Sequence, residues 1–190
     1  MKITTYRRIV GASFWLLLIA IIAWIALWAS SQTPFGAEGE WVSSDIRRQY
    51  ASNSLPHGSL PYQRYYGGNS SCYSYGCSEI RVRAANNSDV VVIIKAENAD
   101  GRVVGHAYLR AGNSYTFELP NGTYQTFFYY GKGWYPEKNM NGGVKGGFLS
   151  DEVFSKDNPQ TLVNQELSYS LVMQQHGNFH TKPSKGSEVF

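Results

Sequence analysis

The sequence predicts an all-β fold, an antiparallel β-sandwich of about six to eight short strands, preceded by one N-terminal transmembrane helix. Three observations carry that expectation. Residues 9–29 form an uncharged and almost wholly apolar run. From Glu79 onward, alternating or β-branched stretches recur between Gly, Asn and Pro turns. Beyond Tyr50 no stretch of useful length places apolar residues at helical spacing.

The apolar run comes first. As a helix rising ~1.5 Å per residue it spans about 31 Å, close to the hydrocarbon thickness of a bilayer. Lys2, Arg7 and Arg8 precede it, and no basic residue follows until Arg47. That asymmetry puts residues 1–8 in the cytoplasm and everything after Ala29 outside. Trp15 on one side and Trp24 and Trp28 on the other suit the two headgroup layers. The run is longer than the apolar region of a cleavable signal, although Ala29-Ser30-Ser31 offers a small-residue cut site. Retention as a signal anchor in the cytoplasmic membrane is the favoured reading. The bilayer is then the first partner, through residues 9–29.

Charge excludes one class of function. Lys2, Arg7 and Arg8 account for three of the 17 Lys and Arg residues, so the remaining 14 balance the 14 Asp and Glu. An outer region without net charge lacks the basic footprint that nucleic acid requires.

Residues 30–78 read as an extracytoplasmic linker rich in Ser, Gly, Asn, Pro and Tyr, with residues 41–50 as a short helix. Tyr62, Tyr65, Tyr66, Tyr73 and Tyr75 are too many aromatics for a free linker, so its later part is expected to lie ordered against the domain. Cys72 and Cys77 fall in the oxidising compartment, where a disulfide persists. A metal site lacks nearby partner ligands, and a redox pair favours two intervening residues rather than four.

Residues 79–190 are the sandwich. Ile80 and Val82 alternate with Arg81 and Arg83 as a half-buried strand, and the run 90–94 is β-branched throughout, as in a central strand. Asp100-Gly101 reads as a hairpin turn with positive φ at the glycine. Strands are expected over 102–109, 114–119 and 123–130, turning at Ala111-Gly112-Asn113 and Pro120-Asn121-Gly122. The glycines of 131–147 predict a long loop. Short strands follow over 148–154, 162–174 and 179–182, with His176-Gly177-Asn178 as a turn. The tail is irregular, with Val189-Phe190 available to tuck onto a sheet.

Residues 103–130, with Leu119-Pro120-Asn121-Gly122-Thr123-Tyr124 leading into an apolar strand, resemble the carboxypeptidase-regulatory-like, or prealbumin-like, β-sandwich modules of bacterial envelope proteins. The layout of a single anchor and an outer β-rich domain is similar to a group of uncharacterised bacterial membrane proteins. Neither resemblance implies catalytic residues, a cofactor or a metal.

No nucleophile elbow, phosphate loop or His-Glu-x-x-His occurs, and the carboxylates are scattered. His176 and His180, with Asp151 or Glu152, are the only zinc-like grouping, and no ligand set is assigned. Asn69, Asn86 and Asn121 each begin an Asn-x-Ser/Thr triplet, a pattern also natural to turns. The candidate binding surface is aromatic. Tyr129, Tyr130, Trp134 and Tyr135 cannot all face inward along one strand, so a ring exposed on a loop tip is available to a protein or a glycan. The alternative is that Trp134 plugs the open end of the sandwich. The function that follows is a non-catalytic binding or assembly module of the bacterial envelope. The alternatives are an envelope-polymer hydrolase with a loop-built site, or a structural spacer or oligomer subunit.

Overall fold

Alternating side chains and Gly-Asn turns give nine strands among the described residues, which a computed structural model places at 42–72, 76–172 and 181–190. The expected anchor 9–29, its flanks 1–8 and 30–41, Tyr73, Tyr75 and the turn with His176 and His180 lie outside them. The described residues belong to one unit, Trp41–Phe190.

The strands are β1 Cys77–Arg83, β2 Asp89–Ala96, β3 Val103–Leu109, β4 Ser114–Pro120, β5 Gly122–Asn139, β6 Lys145–Lys156, β7 Gln160–Leu162, β8 Glu166–Ser170 and β9 Lys182–Pro183. One sheet has the order β4-β1-β8, and the other runs β3-β2-β5-β6-β9 with β7 paired to the start of β5. The pairing is antiparallel except between β1 and β8, which run parallel. The smaller sheet is therefore mixed, where an antiparallel one was expected. The single strand predicted over 162–174 divides. β7 ends at Leu162, the chain crosses between sheets with Asn164 at φ 52°, and β8 joins the smaller sheet.

Ile80, Val82, Phe117 and Leu119 face Val90, Val92, Ile94, Leu109 and Phe128 across the sandwich. The opposite face of the larger sheet is also buried. Val91, Ile93, Tyr108, Phe127, Tyr129 and Phe148 form a second core there. A continuous β-branched run such as 90–94 suits a strand covered on both faces. The cover is supplied by residues 53–70, here termed the strap, and by the C-terminal helix.

Helix α1 is Ser44–Tyr50, with Ser43 Oγ accepting from the Ile46 N–H as its N-cap. The strap carries α2, Gln63–Tyr66, and drops Tyr62 into the second core with no exposed surface. It also runs along β3. The Gly58 N–H donates to the Tyr108 carbonyl, the Tyr108 N–H to Ser59, and the Ser70 N–H to Val104, each at 2.8 Å. Asn69 Oδ1 accepts from the His106 N–H at 2.8 Å. These bonds occupy an edge strand that would otherwise offer unpaired groups to another chain. Helix α3, Gly186–Val189, closes the cover with Val189 buried and Phe190 edge-on to Tyr62 and Tyr129.

The long loop expected over 131–147 is absent. β5 continues to Asn139, a short turn spans Asn141–Gly143, and β6 begins at Lys145. Glycine serves close approach here rather than looping. A Cβ on Gly131 would stand 2.3 Å from Phe148 Cβ. The β2–β3 turn differs similarly. Positive φ falls on Glu97, at 66°, while Gly101 lies against the Ala96 carbonyl, where a Cβ would come within 1.6 Å.

Candidate functional site

The aromatic residues singled out from sequence do not assemble into one exposed surface. Trp134 is 3% exposed, and its ring packs 5.3 to 6.0 Å from Phe148, Tyr108 and Tyr62. Its backbone is clamped on both sides by Asn53. The Trp134 N–H donates to the Asn53 carbonyl at 2.8 Å, and Asn53 Nδ2 donates to the Trp134 carbonyl at 2.6 Å. Tyr129 is buried on the same face, whereas Tyr130 is buried on the other. Tyr135 alone is half-buried, its ring edge-on to Tyr50 at 5.0 Å. The strand continues past Tyr130 with a shift of register, so these rings are strand residues and not a loop tip.

Cys72 and Cys77 form a disulfide with Cα atoms 5.8 Å apart, tying the chain just after the strap to the start of β1. Asp151 pairs with Lys132 at 2.9 Å, and Glu152 is held by Tyr129 and Lys138. No three His, Cys, Asp or Glu side chains among the described residues are grouped to hold a metal. Of the Asn-x-Ser/Thr asparagines, Asn69 binds β3, and Asn121 Oδ1 accepts from Ser78 Oγ and the Asn164 N–H, each at 2.8 Å. Asn86 is exposed, and its side chain makes no hydrogen bond among the described residues.

The buried and half-buried ionisable groups serve the fold. Asp89 is the hub that sequence reading missed, although an acid directly before a β-branched run is a visible signal. Its Oδ2 accepts from Ser54 Oγ and Tyr108 Oη, each at 2.6 Å, and its Oδ1 from the Ala111 N–H at 2.8 Å. Strap, β3 and the β3–β4 loop are thus fastened to the first residue of β2. Burial, reinforced by the Asp89 carboxylate, pushes the Tyr108 hydroxyl up. Burial and then Glu152 do the same to Tyr129. Lys95 Nζ donates to the Ala99 carbonyl at 3.0 Å and the Glu188 carbonyl at 2.8 Å, and burial lowers its pKa.

Two adjoining depressions remain open at one end of the sandwich. The larger, about 420 Å³, is lined by residues 83–87 and 170–172. The other, about 270 Å³, is lined by residues 51–54, 86–89, Ala111, Lys132 and Gly133. Asn86 and Asn87, on the β1–β2 loop, line both. Their amides make no hydrogen bond among the described residues. The arrangement supplies donors and acceptors on a shallow surface rather than a nucleophile, an acid and a base converging on one point. Compared with known proteins, the chain matches no family model, no curated protein and no solved structure.

Proposed function

We propose that the protein is a non-catalytic binding or assembly module of the bacterial envelope, held outside the cytoplasmic membrane by a helix over residues 9–29. The observation that carries this reading is the shallow polar end formed by the β1–β2 loop, the β3–β4 loop and residues 51–54. Its amides at Asn86 and Asn87 make no hydrogen bond among the described residues, whereas Asp89, Glu152 and Glu188 are each engaged in contacts that hold the fold. Loops gathered at one end of a rigid sandwich form a recognition surface without cost to the core. Amides and hydroxyls suit a protein backbone or a glycan. The apolar run and its preceding basic residues support the anchored, outward-facing topology.

The test is capture by the intact anchored protein in its own membrane, wild type against Asn86→Arg/Asn87→Arg. Both positions are exposed, so the double variant should fold and lose the partner. Capture of the same partners by both proteins would remove the loop end from consideration. A reporter that works only outside the membrane, fused after Phe190 through a linker, should be active. Activity of a cytoplasmic reporter alone would overturn the topology.

A further inference from the structure

The strap is fastened to β3 directly over a buried imidazole. His106 is 1% exposed, and its ring lies 6.1 Å from that of Tyr62 and 6.0 Å from that of Tyr66. Its Nε2 stands 3.2 Å from the Gly67 carbonyl oxygen. A carbonyl can only accept, so Nε2 carries the proton of the neutral ring. Nδ1 is then a bare acceptor, buried and without a partner among the described residues. A second proton there would create a cation with no acceptor to receive it.

The groups around the ring offer that cation little. From the strap come the phenols of Tyr62 and Tyr66, both held neutral by burial. From β2 the residue opposite is Ile93. Among the described residues, no hydrogen bond or ion pair joins the ring to a charged side chain. Burial therefore depresses the His106 pKa, and the bond to Gly67 only partly opposes it.

We propose that His106 makes the strap an acid-released latch, whose opening bares the β3 edge and the Tyr62 pocket while the two-sheet core stays folded. The bonds to be released are those of Gly58, Ser59 and Ser70 to the β3 backbone and of Asn69 and Gly67 to His106, together with those of Asn53 to Trp134, Ser54 to Asp89 and Tyr62 to Gly146. The core between the sheets contains no part of this contact. The freed edge is the kind of surface that accepts an added strand.

The direction in pH follows from linkage. In the open state the imidazole titrates near its ordinary value of about 6.5, and in the closed state it titrates lower. The closed strap is thus fully stabilised above that value, and the stabilisation is lost as pH falls toward the closed-state pKa. At about pH 5.5 the open population should exceed that at neutral pH, by up to about tenfold.

Hydrogen exchange of the intact anchored protein in micelles, corrected for intrinsic rates, tests this. Between about pH 7.5 and 5.5, strap and β3 peptides should lose protection, by up to about tenfold, while β1 peptides keep theirs. His106→Gln retains a donor toward Gly67 and cannot titrate, so it should abolish the acid response. His57→Gln should leave the response intact, because His57 is an exposed strap residue whose Nε2 only meets the Ser114 carbonyl, at 3.1 Å. Equal loss across strap and β1, or an unchanged response in His106→Gln, would overturn the latch. Should His106→Gln fail to fold, an NMR titration of wild-type His106 decides: an imidazole that titrates at its ordinary value or higher in the folded protein refutes it.

Discussion

Replacing Tyr62 by Ala asks whether the strap is part of the fold or a tether. The side chain is fully buried, edge-on to Tyr66 and Phe190 and tilted against Trp134. Its hydroxyl donates to the buried Gly146 carbonyl at 3.0 Å. Burying a large side chain contributes about 1.5–3 kcal/mol, aromatic contacts add about 0.5–1.5, and the hydrogen bond adds about 1. A cost of about 3–5 kcal/mol is expected for Tyr62→Ala, as for other large aromatic truncations in cores. That figure has a ceiling. If the cavity costs more than docking of the strap is worth, the strap lifts, and the loss equals its docking free energy. The two outcomes separate in a urea titration, because a lifted strap exposes surface in the native state and lowers the slope m. Trypsin cleavage after exposed Arg64 should accelerate in parallel. Tyr62→Phe should cost about 1–2 kcal/mol, from the Gly146 acceptor left buried without its donor. A Tyr62→Ala protein destabilised by less than ~1 kcal/mol, with cleavage at Arg64 unchanged, would refute an integrated strap.

Two further predictions concern the charged fastenings. Asp89→Asn should cost about 1–3 kcal/mol in urea unfolding, since an amide cannot accept all the donors from Ser54, Tyr108 and Ala111; an unaltered midpoint would show that water replaces the carboxylate. Glu188, held down to about 2 by Lys156, the Lys185 N–H and Ser184 Oγ, has a depressed folded-state pKa. Its contribution is therefore complete above its ordinary value and fades as pH falls toward about 2. The urea midpoints of wild type and Glu188→Gln should accordingly differ at neutral pH and converge under acid; a gap that persists at the acid limit would contradict this.

What could be read from the sequence, and what could not, divides along local and long-range causes. The run 90–94, the alternation of Ile80 and Val82 with Arg81 and Arg83, and the tyrosine density of the strap are local signals, and each corresponds to an observed element. Residues 131–147 failed as a loop because a glycine required by close approach looks the same in sequence as one required by a turn. Only the pairing of β5 with β6 reveals that Phe148 lies against Gly131. The course of β8 depended likewise on a sheet crossing at Asn164, which the alternation of Leu167 and Tyr169 does not announce.

Trp134 shows the same limit at the level of the candidate surface. Counting by twos from Phe128 and Tyr130 sends Trp134 to their side of the sheet, into the core between the two layers. It lies instead with Tyr129 on the opposite face; the β5–β6 register shifts between Tyr130 and Lys132, and Gly133 just before the tryptophan stands at φ 68°. A break in a strand's alternation reverses the facing of everything after it. The tryptophan read from sequence as either an exposed ring or a plug on the sandwich end is instead the floor beneath the strap, with Asn53 clamping its backbone. The same local departure carries Lys132 and Gly133 to the polar end, beside Asn86, Asn87 and residues 51–54. That surface was illegible for the same physical reason: each of its residues reads as an ordinary turn, and only Asp89, by drawing Ser54 and Ala111 to the head of β2, brings the turns together.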